Sequence, residues 1–417
     1  MKRVGVVCMA LLIVAIFAFS VSAKTSVDFW YWSGGAVQSY IIDNLLPRFH
    51  EENPNIEIVP QLIPQRNDLL QKLLISAAGD SLPAFALFDP IWLPQFSPLV
   101  MPFEDLAKKD GPEMMDMIDD LNPASRMMVS YNNKVYLSTF GVFELGLFYN
   151  KDHFEEAGLV AQIETWDDMV ETAKKLTRDR DNDGTIDVWG LRLELSQYKT
   201  AQTTWIAMLW SNGGDVFNDD FTKCTLDSKE AIETLRWYGD LQNKHKVASV
   251  VANPDWLSGG AAMQVHGNWD IHAYAPVLGD SLGAMAMPRG KVQHATYAHG
   301  DSYVIFKTSP DKQEAAWTFV NWLQSPEIAT DLAIIGGILP ARESVAETSK
   351  YQSYLQQNPL IQVFVDQLEY ARVSPPVEAM NRAYAEIGTA MDKVLYEKTT
   401  PERALKDARS NVEIEMD

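Results

Sequence analysis

Apolar and polar positions alternate along this chain with two periods, one near two residues and one between three and four. After Lys24, Val27 to Trp32 predicts a strand, Val37 to Glu52 a helix closed by Asn53-Pro54, and Ile56 to Val59 a second short strand. Leu70, Leu73, Leu74 and Ala77 recur at helical spacing with Gly79 beyond them as a C-cap, and Ala84 to Phe88 is the next strand. Val135 to Val142 and Leu145 to Tyr149 read as extended. Thr165 caps a helix running to about Thr177, with Asp168 closing a capping box. Helices are expected at Thr200 to Ser211, Ser228 to Lys244 and Pro310 to Leu323, and strands at Ala261 to Val265 and Ser302 to Phe306. From Pro326 on the pattern is mostly helical. The alternation of strands and helices predicts an α/β architecture.

One stretch breaks this alternation. Lys2 and Arg3 precede an apolar run from Val4 to Phe19, and Val21-Ser22-Ala23 supplies small residues at cleavage spacing. That pattern predicts a signal peptide over residues 1–23, cleaved after Ala23, with an uncleaved membrane anchor as the alternative. No other stretch approaches roughly 18 consecutive apolar residues, so an exported, soluble, periplasmic protein is expected. Cys8 lies inside the signal and Cys224 stands alone, which leaves no intramolecular disulfide. A chain of 417 residues implies two or three domains, and its net charge of −21 repels nucleic acid and anionic lipid.

Catalytic constellations are not persuasive. There is no GxSxG elbow, HExxH, CxxC or phosphate-cradling loop, and the histidines lack a metal-ligand spacing. With 56 acidic residues, no glycosidase-like carboxylate pair can be picked by spacing. One motif is metal-like: Asp179, Asp181, Asp183 and Asp187 match the start of an oxygen-ligand calcium loop, but Gly190 stands where a bidentate Glu belongs. Structural calcium and an Asp/Asn/Gly-rich turn are both open readings, and no other cofactor is required.

The positive signal is aromatic. Of 12 tryptophans, several sit beside glycine turns: Trp30 and Trp32 before Ser33-Gly34-Gly35, Trp210 before Asn212-Gly213-Gly214, and Trp269 after Gly267-Asn268. Indole faces stack on the C–H faces of sugars while carboxylates and amides satisfy the hydroxyls. Mid-helix Trp237, Trp317 and Trp322 are expected in the core instead.

Several ordered segments together carry a resemblance. They are Gly79-Asp80-Ser81-Leu82-Pro83-Ala84, Leu147-Phe148-Tyr149-Asn150-Lys151-Asp152, Glu164-Thr165-Trp166-Asp167-Asp168, Asn212-Gly213-Gly214, Gly259 through Trp269, Gly300-Asp301-Ser302, Ile338-Leu339-Pro340-Ala341-Arg342 and Ala404 through Ala408. In these the chain resembles the extracellular solute-binding proteins of ABC importers, in the carbohydrate-binding group that includes maltose-binding protein. The resemblance implies a two-lobed periplasmic-binding-protein fold of the type II clamshell kind, with hinge crossings between discontinuous lobes. Lobe one would be 24–137 plus 300–339, and lobe two 138–299 plus 340–417.

It also implies a ligand site. Trp269 matches the stacking aromatic, with Asn268 beside it, and Asp89 matches a carboxylate that binds sugar hydroxyls. Trp32 lies in a ligand loop, Trp205 near a further stacking aromatic, and Trp210 and Asp301 on cleft-facing turns. Glu144 neighbours a ligand carboxylate whose strict match is Phe143, and Arg382 falls where maltose-binding protein has an aromatic. The implied partners are a carbohydrate, an ABC-transporter membrane permease and a chemoreceptor, with the chain a monomer that makes or breaks no bond. Glycerol phosphate bound by the same fold, and a secreted glycoside hydrolase, are the alternatives.

Overall fold

The computed structural model describes residues 24–33 and 35–416. The signal peptide and its cleavage after Ala23 therefore lie outside the described residues. No helix among the described residues is long and apolar enough to cross a membrane.

The described residues build two large sheets and a two-stranded hairpin of Ser130–Tyr131 with Lys134–Val135. The first joins β1 (Thr25–Tyr31), β2 (Ile56–Leu62), β3 (Phe85–Phe88), β4 (Ser138–Thr139) and β9 (Ser302–Ile305) in the order β2-β1-β3-β9-β4. β1 runs parallel to β2 and β3, while β9 is antiparallel to β3 and β4. Alternation places Val27 and Phe29 of β1 in the core, with Phe29 stacked on Phe85 at 4.5 Å.

The second sheet is organised on one long strand, β5 (Gly141–Asn150). Its first half pairs with β8 (Thr296–His299) and β10 (Leu339–Pro340), and β8 also pairs with β11 (Ala371–Arg372). Its second half pairs with β6 (Met263–Gly267) and β7 (Leu282–Met285). Pairing on both edges explains why β5 is buried almost along its whole length.

The chain passes between the sheets at Phe140, between β4 and β5, and at Gly300-Asp301, between β8 and β9. The crossing segments approach very closely. A Cβ at Gly141 would lie 2.1 Å from the Leu339 carbonyl oxygen, and one at Gly300 would lie 2.4 Å from that of Gly141. Only glycine fits there. The chain enters the second sheet at β10, but the segment after it does not stay there, as the placement of 340–417 in lobe two expects. Glu343 N–H donates to Asp120, and the helices Glu343–Ala346 and Ser349–Gln357 pack on helix Pro326–Gly336. Helix Pro359–Gln367 then reaches β5.

Local chemistry follows the sequence at most elements. The helix after Thr165 spans Trp166–Leu176 with both capping-box hydrogen bonds made. The expected helix from Val37 to Glu52 is instead three pieces, Gly35–Tyr40, a π-helical turn Ile41–Leu45, and Leu46–Glu52. Pro47 lacks an N–H and crowds the preceding turn, which widens there to accommodate it.

Candidate functional site

A cavity of about 810 Å³ opens between the two sheets, lined from the first by Trp32, Arg66 and Asp301 and from the second by Phe143, Lys199, Trp269 and His299. Its two walls differ in construction.

The first wall is an ionic network built at strand ends and helix starts. Arg66 opens α1 (Arg66–Ala78), and Lys199 opens α2 (Lys199–Ser211) from the far side of the cleft. Asp89, directly after β3, caps a short turn by accepting a hydrogen bond from Ile91 N–H. Its Oδ2 receives Arg66 Nη1 at 2.7 Å and Lys199 Nζ at 2.6 Å. The second arm of the Arg66 fork reaches Asp301 Oδ1 at 2.8 Å. Beneath it the guanidinium lies 4.6 Å from the Trp32 ring centroid. Burial opposes the charge on Asp89, yet Lys199 and Arg66 together hold its carboxyl far below the usual range. Burial lowers Lys199, which Asp89 partly offsets, and burial raises Asp301.

Apart from Lys199 and Asp270, the second wall is aromatic and uncharged. Trp269 sits on a turn after β6 and meets Phe143 edge to face at 5.9 Å, with His299 at 5.0 Å and His266 at 5.4 Å. The indole lies over Gly267 so closely that a Cβ there would be 1.8 Å from the ring. Asn268 anchors the turn. Fully buried, it accepts from Glu144 N–H at 2.9 Å and donates to the Gly337 carbonyl at 2.9 Å. Burial, with Lys199 and Arg66 nearby, pushes His299 down to about 3, so the ring is uncharged.

The structure brings Trp269, Trp32 and Asp301 to the cavity wall, with Asp89 behind it and Asn268 in support. Trp32 offers no free ring face there, being 4% exposed with Trp92 at its edge and Arg66 above it. The other predicted residues lie elsewhere. Trp205 is 0% exposed within α2, a helix buried from Ala201 to Ser211. Trp210 stacks parallel on Tyr297 at 5.6 Å under the Arg372 guanidinium and donates to Asp215. Glu144 is wholly buried away from the cavity, and burial raises its carboxyl well above the usual range. Arg382 pairs with Glu386 one helical turn on, at 2.8 Å.

Sequence reasoning missed Arg66 and Lys199. A signal existed: a cation at the first position of a helix opposes the macrodipole and needs a carboxylate to hold it. In the Asp-rich loop, Asp179, Asp181 and Asp187 bring carboxylate oxygens within 4.8 Å of one another. Asp183 instead accepts from Thr185 N–H, while Asp179 and Asp187 accept from Gly184 and Arg180 N–H. A side chain at Gly190 would strike the Ala173 carbonyl at 2.0 Å, so that position cannot carry the bidentate Glu of a calcium loop.

Comparison with known proteins fits this geometry. The family model for bacterial extracellular solute-binding proteins matches residues 44–359. An arabinooligosaccharide-binding protein of Halalkalibacterium halodurans is 22% identical, the match covering 96% of this chain and 92% of that one. The sn-glycerol-3-phosphate-binding periplasmic protein of Shigella dysenteriae is 20% identical over 81% of this chain and 79% of its own. Among solved structures, an ABC substrate-binding protein of Listeria monocytogenes in complex with cycloalternan superposes with a TM-score of 0.80. It is 25% identical, and the match covers 94% of this chain and 99% of that one. The clamshell architecture of two α/β lobes is thus shared.

Proposed function

The chain belongs to the bacterial extracellular solute-binding proteins, and from that membership we propose that it holds a neutral carbohydrate between its lobes for an ABC-importer permease. The observation that carries the reading is the charge balance of the cleft. Arg66 and Lys199 are both spent on Asp89 and Asp301, so no cation stands free among the described residues of that network to neutralise a phosphate. A sugar asks for something different: an aromatic surface for its C–H face and oriented polar groups for its hydroxyls. Trp269 and the Asp301, Gln65 and Thr203 side of the same cavity offer these.

The mechanism is a population shift. Ligand contacts made to both walls at once exist only when the lobes meet, so binding favours the closed form that a permease reads. Lys199 shows how near the walls stand, reaching across to Asp89 at 2.6 Å. Asp89, held ionised between two cations, has no proton to give as a general acid, which supports capture over hydrolysis. The chain would act as an exported monomer after cleavage at Ala23.

A thermal-shift panel of mono-, di- and oligosaccharides, with sn-glycerol 3-phosphate alongside, tests the reading. A ligand at 100 times its dissociation constant adds about 2.7 kcal/mol of stability. A shift with a neutral sugar that Trp269→Ala removes is expected. A shift with the phosphate alone would overturn it.

A further inference from the structure

The cleft is divided in two. Beside the cavity of about 810 Å³ lies a second chamber of about 430 Å³, and the two share Arg66, Asn67, Gln197 and Lys199 in their walls. Asp89 lines the second chamber rather than the first. The partition is therefore the bridge Arg66–Asp89–Lys199, contributed by both sides of the cleft.

Its two cations are held unequally. Arg66 is fixed three times, by Asp89, by Asp301 and by the Trp32 face below it. Among the described residues Lys199 has a single carboxylate partner, and its ammonium otherwise faces the Tyr384 ring at 5.1 Å. Arg66 is thus a fixed post and Lys199 the movable panel. Behind that panel the second chamber presents amides and hydroxyls of Gln202, Asn381, Ser196 and Thr389, the aromatics Tyr384 and Trp92, and the Asp392 carboxylate. Asn381 makes no side-chain hydrogen bond among the described residues, while Ser196, Gln202, Thr389 and Tyr384 already bond within the protein and would meet a polyol through what donor or acceptor capacity is left.

We propose that Lys199 sets the length of carbohydrate the cleft accepts, its bridge to Asp89 closing off a second chamber that could seat additional sugar residues. This rests on the carbohydrate reading above. It makes a demand that a simple latch between lobes does not. Losing a latch weakens every ligand by one factor, whereas losing a partition changes the ratio of long to short.

The test is calorimetric titration of the full exported chain with maltooligosaccharides and arabinooligosaccharides from di- to hexasaccharide. Wild type is compared with Lys199→Met and with Lys199→Gln, which keeps a polar head if the first variant folds poorly. Wild-type affinity should level off once the first cavity is filled. In the variants the longer members should gain about tenfold relative to the disaccharide, easily resolved by titration. Adding Thr389→Trp to either variant should fill the second chamber and cancel that gain. An equal shift at every length, or a wild-type affinity that already climbs to the hexasaccharide, overturns the partition while leaving the carbohydrate reading intact. Failure of wild type to bind any member, with binding of glycerol phosphate instead, overturns the carbohydrate reading and the partition together.

Discussion

The two walls of the cleft solve opposite problems. The wall of the first sheet is charged and saturated: Arg66, Asp89 and Asp301 satisfy one another, and even the Trp32 face is covered. The wall of the second sheet carries no net charge at Trp269, Phe143 and neutral His299, and leaves ring surface for a ligand. The difference teaches that a tryptophan's role is decided by what already lies on its face. On the carbohydrate reading, one wall would fix orientation through hydrogen bonds and the other would supply contact area at low entropic cost.

Breaking the charged wall has the largest expected effect. Asp89→Ala leaves two cations facing each other without their shared carboxylate, a change that costs about 3–5 kcal/mol in comparable buried pairs. Denaturant unfolding should show that loss even without ligand. Trp205→Ala should cost stability on the same scale, about 3–5 kcal/mol for a buried aromatic, yet leave sugar affinity within about twofold.

Breaking the aromatic wall should do the reverse. Trp269→Ala is expected to weaken sugar binding by about 2 kcal/mol, roughly thirtyfold, in calorimetric titration. Its unfolding midpoint should move less than that of Trp205→Ala. If both tryptophan variants changed affinity alike, the contrast between core and cleft indoles would fail.

The smallest effect sharpens the neutrality of His299. Its ring titrates at about 3 when folded against an ordinary 6.5, so the unfolded chain takes up a proton that the folded protein refuses. The stability it contributes is level above about pH 6.5 and falls as pH drops toward about 3. Unfolding of wild type minus His299→Asn, measured across that window, should show this slope, since the other groups cancel in the difference.

The legibility of the molecule follows the same division. The strand of Val27 and Phe29 and the capping box at Thr165 were readable because both are local patterns. The place of Trp269 on the cavity wall was readable because its glycine-bounded turn is local too. Trp205 and Trp210 were not, since α2 is buried on all sides and a helix without a polar face gives no clue to which side meets a cleft. The ionic network was hidden by distance along the chain: Asp89 meets Arg66 across 23 positions and Lys199 across 110. Periodicity carries no information at that range. The segment after Pro340 escaped for the same reason, its anchor being Asp120 just past the end of the remote helix Pro112–Asp119.

The central claim, that this cleft is electrically satisfied and takes a neutral sugar, is tested most directly by titrating the best sugar at low and high salt. Between about 0.02 M and 0.5 M ionic strength the screening length shrinks severalfold, so any ligand held by charge must weaken. The account predicts a dissociation constant unchanged within about twofold. A tenfold loss of affinity in high salt, or heat evolved only with sn-glycerol 3-phosphate, would contradict it.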